Sequence, residues 1–290
     1  MLRYCALLTI LILAVSDPGH AHQPVMDMAP RWDRGYGFQL RFEHYGSDKL
    51  LEGSVQIVNP LGVRRDVDKV WLEGVYTFDR SVRITAKLPF IRQERIKNVG
   101  GRTVAQSNRG LGDLIIGVPL KKYFNDGDST SNISLTPSLR LPTGSTAGEY
   151  PLSDGSLDVG LSLSYSRSTP TFYMLMDAFY WINSQGKRDM REGNELGLDI
   201  NLGFHPYHDN LSNSGVFVMW DISARHQQDP SQRNLTDASG DDRIYAGPII
   251  VLYRNNMMLR AEYKMPVYEN KHRIGLSRGQ EFNIGLGFTF

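Results

Sequence analysis

The chain of 290 residues contains a single cysteine, Cys5. We expect Cys5 to leave with an N-terminal signal, so the mature chain has no thiol. Disulfide bonds, cysteine metal sites and cysteine nucleophiles are therefore excluded. An excess of charge of one sign is also lacking, because 32 Lys and Arg residues face 31 Asp and Glu residues. This balance argues against a nucleic acid as partner.

Long hydrophobic runs are the second absence. No run of about eighteen apolar residues follows the N-terminus, which excludes a helical membrane protein. The apolar segment Leu7–Val15 follows Arg3, is too short to span a bilayer, and precedes small residues at Gly19 and Ala21. This pattern predicts a signal peptide at residues 1–21 and an exported protein. Residues 22–34 show no hydrophobic period, and we interpret them as a periplasmic lead-in.

A period of two in hydrophobicity is the main pattern present. In Gln280–Phe290 every second residue is apolar, which is typical of a strand with one apolar face. The same alternation recurs about twelve times between residues 35 and 290, without helical segments to cover the apolar faces. Lipid would cover them in a closed barrel, where no backbone group stays unpaired. We predict an all-β, closed antiparallel transmembrane β-barrel of about 12 strands; the alternative is a soluble sandwich.

The predicted connections alternate in length. Short ones are expected at 79–80, 167–170 and 254–256. Long polar ones are expected at 46–68, 92–110, 143–155, 183–193, 227–242 and 268–279. Long loops outside the cell and short turns in the periplasm are typical of bacterial outer-membrane barrels. The predicted location is the outer membrane of a Gram-negative bacterium, with both termini in the periplasm.

Two features of the strands need an interpretation of their own. Prolines lie inside three predicted strands, at Pro119, Pro137 and Pro248, and we interpret them as bulges or strand ends. The last strand ends on an aromatic residue. Its phenylalanines resemble the C-terminal signal that the barrel-assembly machinery reads in outer-membrane proteins, and they are Phe282, Phe288 and Phe290.

Charged residues occupy the face opposite the apolar one. We predict that they line an aqueous lumen and set its selectivity. The alternative is that charges of mixed sign pair with one another and fill a narrow lumen. The predicted lumen-lining residues are Arg41, Glu43, Glu73, Arg83, Lys87, Asp113, Arg140, Asp158, Asp177, Glu195, Asp199, Asp221, Arg225, Arg260, Glu262 and Lys264.

Two short motifs carry a resemblance to a known family. The segment Arg109–Tyr123 contains the pattern G-x-G-D-x-x-x-G, and Ser134–Gly144 ends on L-P-T-G. The matching residues are Gly110, Gly112, Asp113, Gly117, Leu141, Pro142, Thr143 and Gly144. The chain resembles the outer-membrane family named for the meta-cleavage pathway of phenol degradation. That resemblance implies a porin-like channel or uptake barrel, linked by name to aromatic or hydrophobic compounds.

Two other function classes are alternatives to a channel. A barrel hydrolase acting on lipid requires a Ser–His pair, but no histidine lies in a recognisable nucleophile motif and no G-x-S-x-G occurs. A copper-handling protein could use His22 as a new N-terminus with the thioethers of Met26 and Met28. We predict a channel, not an enzyme, without metal or cofactor. Its expected partners are outer-membrane lipid, the assembly machinery and a small-molecule permeant.

Overall fold

The computed structural model describes residues 33–99, 102–148, 150–189, 191–209, 211–231 and 240–290. The predicted signal peptide, residues 1–21, lies outside this range, as does the lead-in up to residue 32. The copper hypothesis on His22, Met26 and Met28 therefore also falls outside the described residues. No helix among the described residues is long and apolar enough to cross a membrane.

The described chain consists almost entirely of β-strands. These are β1 Tyr36–Ser47, β2 Leu50–Gly53, β3 Val55–Ile57, β4 Arg64–Thr77, β5 Arg83–Val99, β6 Arg102–Leu111, β7 Leu114–Gly117, β8 Leu120–Asp126, β9 Ser129–Leu141, β10 Asp158–Ser168, β11 Phe172–Ile182, β12 Glu195–Asp209, β13 Ser214–Gln227, β14 Asp241–Arg254, β15 Met257–Leu276 and β16 Gln280–Thr289. One 3₁₀ turn, Lys187–Asp189, lies between β11 and β12.

The strands form one closed antiparallel barrel. Each wall strand pairs with its neighbours in sequence, and β1 closes the wall by pairing with β16 from Gly37–Thr289 to Gly46–Gln280. Strands β6, β7 and β8 follow one another between β5 and β9 and act as one wall strand. The β2–β3 hairpin is an appendage that contacts the end of β15. The wall therefore has twelve strands, which confirms the predicted fold class.

Each of the three prolines that the sequence predicted to lie inside strands is found where the backbone ladder is irregular. Pro119 separates β7 from β8. Pro137 lies in β9 opposite that break, where its oxygen accepts the backbone N–H of Val118 at 3.0 Å. Pro248 lies where the β14–β15 pairing skips from Ala246 to Ile249. Proline has no backbone N–H, so it is tolerated at positions where the ladder is already interrupted.

The two ends of the barrel differ. We call the end with Tyr36 and Phe290 the proximal end and the opposite one the distal end. Proximal turns are short, at 78–82, 127–128, 169–171, 210–213 and 255–256. The distal end carries the connections from β1 to β4, from β5 to β6, from β9 to β10, from β11 to β12, from β13 to β14 and from β15 to β16.

Two predicted long loops are wrong, and a third, 46–68, contains the β2–β3 hairpin and the start of β4. Residues 92–110 are mostly strand, because β5 extends to Val99 and β6 begins at Arg102. Residues 268–276 belong to β15. Beyond the lipid a strand can be polar on both faces. Arg92 and Glu94 share one face, where they form an ion pair of 2.6 Å, and Gln93 lies on the other. The alternation that marked the other strands is lost there, although the strands continue.

Apolar side chains cover the outward face of the wall. Leu40, Leu72 and Leu163 are all more than half exposed. Their neighbours on the other face are polar, and Gln39 and Asn201 are almost completely buried inside the barrel. Apolar residues outside and polar residues inside are the arrangement of a barrel that has lipid as its outer solvent.

Leu163→Lys and Ser164→Lys test this orientation at adjacent positions of β10. We expect Leu163→Lys to lower the free energy of unfolding by about 2–4 kcal/mol, because a lysine near the bilayer midplane must leave water. Ser164→Lys points into the lumen and should cost much less. Urea unfolding of both variants in phospholipid bilayers measures the difference. Equal losses at the two positions would contradict the assigned faces.

Candidate functional site

A cavity of about 610 Å³ lies inside the barrel. Inward side chains of strands from β1 to β15 line it, and many of them are charged or carry hydroxyl groups. Ten of the predicted lumen residues line this cavity: Arg41, Glu73, Arg83, Lys87, Asp177, Asp199, Asp221, Arg260, Glu262 and Lys264. Residues from many different strands thus converge on one polar space.

The other six predicted residues lie outside the cavity lining. Arg140 and Asp158 form an ion pair of 3.2 Å at the distal ends of β9 and β10. Arg225 reaches from β13 to Glu195 at 3.8 Å, also near the distal end. Glu43 forms an ion pair with Arg41 of the cavity lining, and Asp113 holds a distal loop. The predicted set therefore divides into a central layer, a distal layer and one structural residue.

The central layer is dominated by ion pairs. Arg41 donates to Glu73 from Nη2 at 2.8 Å and to Glu43 from Nη1 at 3.1 Å. On the other side of the seam, which is the β1–β16 pairing that closes the barrel, Lys264 contacts Asp221 at 2.9 Å and Glu262 at 3.4 Å. Carboxylates buried in this way need nearby cations, because an unpaired charge away from bulk water is costly. Most charges of this layer therefore neutralise one another, as the alternative interpretation of the sequence held.

Three charged groups of the cavity are exceptions. Among the described residues, no carboxylate lies within ion-pair distance of Lys87 or Arg83 on β5, and Arg83 donates to the hydroxyl of Tyr123 at 2.9 Å. Asp177 on β11 is paired in register with a second acid, Asp199, and the latter is bound by Arg225 at 2.7 Å. Lys87 and Asp177 are therefore the charges best placed to act on a solute.

The proximal end of the lumen is apolar on one side. Phe217 and Met219 on β13 pack with residues of β11, β14 and β15 into a buried cluster. The full cluster is Tyr173, Phe217, Met219, Ile249, Val251, Tyr253 and Met258. The ring of His205 stacks on Phe217 with centroids 4.1 Å apart. This cluster occupies the inside of the barrel wall near the proximal turns.

The alternation in the sequence did not predict the proximal cluster. Its only signal is that the alternation fails in Val216–Trp220 and Ile249–Tyr253, where consecutive residues are apolar. Such runs indicate a strand that is buried on both faces. One face contacts lipid here, and the other packs inside the barrel against the neighbouring strands.

Comparison with known proteins identifies the family. The sequence profile of the family described as "Putative MetA-pathway of phenol degradation" matches residues 46–282, which is most of the chain. The chain belongs to this family. No curated protein matches the sequence.

Solved structures similar to this phenol-degradation family member are outer-membrane barrels. A crystal structure of an outer-membrane channel from Pseudomonas putida F1 has a TM-score of 0.68 and 14% sequence identity, and the match covers 95% of this chain and 100% of that chain. The beta domain of the Bordetella autotransporter Brka has a TM-score of 0.46 and 12% identity, with 89% and 100% coverage. At such identities the first likeness shows the fold, which is that of an outer-membrane barrel.

The two motifs that carry the family resemblance meet in space. The carboxylate of Asp113 accepts the backbone N–H of Gly144 at 2.8 Å and the hydroxyl of Ser153 at 2.7 Å. Thr143 donates its hydroxyl to the backbone oxygen of Gly112 at 3.1 Å. Both motifs therefore hold the distal loop 142–157 against the break between β6 and β7. Asp113 is a loop anchor and does not line the cavity, contrary to its predicted place.

Close packing explains a glycine in each motif. A Cβ on Gly144 would lie 2.8 Å from the Cβ of Ser153 and 3.0 Å from the backbone carbon of Gly112. A Cβ on Gly112 would lie 2.9 Å from the ring of Pro89. These contacts are shorter than side chains allow, so the loop can approach the wall only where both positions lack a Cβ.

The barrel histidines contact carboxylates and a tyrosine. His44 lies 2.7 Å from Asp68. His205 and His208 both contact the hydroxyl of Tyr253, at 3.0 and 2.8 Å. His226 and His272 contact aspartates at the distal rim. None of these contacts forms the Ser–His pair on which the hydrolase alternative depends.

Proposed function

We propose that this protein is an outer-membrane channel through which small hydrophilic solutes diffuse along the barrel lumen. The observation that supports this most is the polar cavity of about 610 Å³, in which Lys87 on one strand and Asp177 on another lack an ion-pair partner among the described residues. Lys87 is paired in register with Glu73 and Asp177 with Asp199, so both charges stand beside other charged groups without forming a close ion pair. Charges placed in this way inside a narrow polar space act on whatever passes.

The proposed orientation places the proximal end in the periplasm. Short turns and both described chain ends lie there, and the long connections lie at the distal end. Outer-membrane barrels generally have short periplasmic turns and longer extracellular loops. Solutes would therefore enter between the loops 142–157 and 183–194 and leave past the apolar cluster.

The proposed substrate class is small polar solutes, including aromatic compounds that carry a charged or hydroxyl group. Aromatic rings in the cavity wall, Trp71, Phe179 and Trp181, offer flat apolar surface beside the charges. The guanidinium of Arg140 lies over Trp181 at 4.6 Å, and that of Arg225 over Phe179 at 4.8 Å. A benzoate-type solute could contact both kinds of group, whereas an unsubstituted hydrocarbon would have to displace the water around the charges.

Planar-bilayer recording of the purified protein tests the proposal. We expect discrete conductance steps, because a water-filled passage carries ions whatever its natural solute. Liposomes that contain the protein should also take up benzoate faster than empty liposomes. An absence of conductance steps from correctly folded protein would contradict an open lumen.

We also propose that the aromatic C-terminus is read during assembly. Phe290 exchanges backbone hydrogen bonds with Tyr36 at 2.7 and 2.9 Å, and its ring stacks on that of Tyr36 at 5.3 Å. Deleting Phe290 is expected to lower the yield of assembled barrel severalfold while export continues. Heat-modifiable migration of the outer-membrane fraction on gels measures the yield. Addition of the assembly machinery in vitro separates recognition from intrinsic folding, since a deletion that only weakens the seam would also slow unassisted folding.

A further inference from the structure

Three side chains of metal-ligating type lie together at the distal rim. His226 is near the end of β13, Asp242 is near the start of β14, and His272 is in β15. One potential ligand atom of each lies within 4.8 Å of those of the others. The sheet sets this arrangement, because His226 is paired in register with Asp242 and the backbone N–H of His272 donates to the oxygen of Gly240 at 3.1 Å.

Both histidines place a ring nitrogen near the carboxylate of Asp242. Nδ1 of His226 lies 2.6 Å from Oδ1 of Asp242, and Nε2 of His272 lies 3.6 Å from Oδ2 of the same carboxylate. Tetrahedral zinc at about 2.0–2.1 Å from each ligand would hold these atoms about 3.3 Å apart. Small rotations of the three side chains, of which both histidines are exposed and Asp242 is half-buried, would therefore reach coordination distance.

A second carboxylate orients one of the imidazoles. Oδ1 of Asp229 lies 3.2 Å from Nδ1 of His272, which turns Nε2 of that ring toward Asp242. The backbone N–H of Gly240 donates to the same Asp229 oxygen at 2.7 Å and holds the pKa of the carboxyl below its ordinary value. A carboxylate hydrogen-bonded to the far nitrogen of a ligating histidine is the usual outer-shell arrangement at zinc sites.

We propose that His226, Asp242 and His272 bind a divalent transition-metal ion of the zinc and copper class at the distal rim, with Asp229 as a positioning residue. Two imidazoles and one carboxylate suit such ions, whereas calcium and magnesium prefer sites made wholly of oxygen atoms. Three protein ligands leave one position for water.

The site lies on the outer surface of the barrel and not in the lumen. Asp241 and Lys271, the sequence neighbours of two ligands, point inward, where they are buried and form an ion pair with each other. The next outward pair toward the membrane is apolar, Ile244 with Tyr268. The metal would therefore lie just above the lipid-contacting band, and its binding is independent of the proposed channel function.

A matched control exists elsewhere on the rim. His44 and Asp68 form an exposed pair of 2.7 Å between β1 and β4, almost the geometry of His226 with Asp242. Among the described residues, only the His226 cluster gathers three groups that could hold a metal ion. The two pairs thus differ in the presence of His272.

The test is calorimetric titration of zinc chloride into tag-free, folded protein in detergent micelles. We expect one zinc per chain. His226→Ala and His272→Ala should each remove measurable binding, while His44→Ala should leave it unchanged. Asp229→Asn should weaken binding by about 10- to 100-fold, the usual cost of an outer-shell partner. Calcium chloride should give no binding.

Several outcomes would overturn the site. They are an absence of zinc binding, binding that survives both His226→Ala and His272→Ala, and equal weakening by His44→Ala. Heat-modifiable gel migration verifies that each variant is folded. Copper bound at the site should show nitrogen coupling in electron paramagnetic resonance that His272→Ala reduces, and a spectrum without nitrogen ligands would contradict the proposal. Zinc should leave the single-channel conductance unchanged. The titration requires only folded protein, so its result does not depend on whether the lumen conducts ions.

Discussion

Lys87→Glu is expected to shift the reversal potential of the channel toward cations, and Asp177→Lys is expected to shift it toward anions. Each exchange reverses a cavity charge that has no ion-pair partner among the described residues. A unit charge 4 Å from a passing ion changes its energy by about 1 kcal/mol in bulk water and by about 4 kcal/mol near a protein surface. Even the lower figure corresponds to a severalfold change in the ratio of cation to anion permeability.

The measurement is the reversal potential in a salt gradient across a planar bilayer, at low ionic strength so that screening stays weak. Arg92→Glu is the matched control, since Arg92 lies on the same strand as Lys87 but contacts Glu94 on the exposed distal part. We expect this variant to behave like the unaltered protein. If Lys87→Glu and Asp177→Lys also leave the reversal potential unchanged, the permeation path does not pass these residues.

Phe217→Ala is expected to raise the conductance and to lower the free energy of unfolding by about 3–5 kcal/mol. Phe217 is 2% exposed and lies at the centre of the proximal cluster, in contact with His205, Tyr173 and Tyr253. Removal of a buried phenyl ring costs its transfer free energy and leaves a void. In this barrel the void would adjoin the proximal part of the lumen, so we expect the passage to widen there.

Phe204→Ala is the control for this prediction. Phe204 lies on β12 but points outward and is 55% exposed. Lipid chains can fill the space that its ring leaves, so the loss of stability should be smaller and the conductance should stay the same. Single-channel recording and urea unfolding of the two variants provide both readouts. A conductance that Phe217→Ala does not change would show that the cluster does not limit the passage.

Local alternation was sufficient to predict the barrel. Successive side chains of a strand point to opposite faces, so the sequence alone predicts that Leu163 faces outward and Ser164 faces inward. Absences had equal weight, because a chain without long apolar runs or helical segments leaves lipid as the only cover for so many apolar faces. The closed twelve-stranded wall confirms this inference.

Strand ends were less predictable. Beyond the lipid no solvent difference separates the two faces, so residues 92–99 and 268–276 read as loops although they are strands. Consecutive apolar residues in other strands hid a second feature, which is the set of apolar side chains that face inward. Phe217 and Val251 face inward in strands that are apolar on both sides, and they contact each other because the register of β13 on β14 pairs them.

The sequence by itself determined the fold class, the outward and inward faces of the wall strands, and the identities of the charges inside. Only the tertiary structure decided which of those charges are neutralised. Arg41 reaches Glu73 diagonally from β1 to β4, where the register pairs Arg41 with Trp71. Lys87 on β5 is the register partner of Glu73, yet the described residues show no ion pair between the two. Asp113 became a loop anchor because β7 pairs with β9 and brings Gly144 to it. Register and closure are properties of strands from distant parts of the chain, and local spacing carries no information about them.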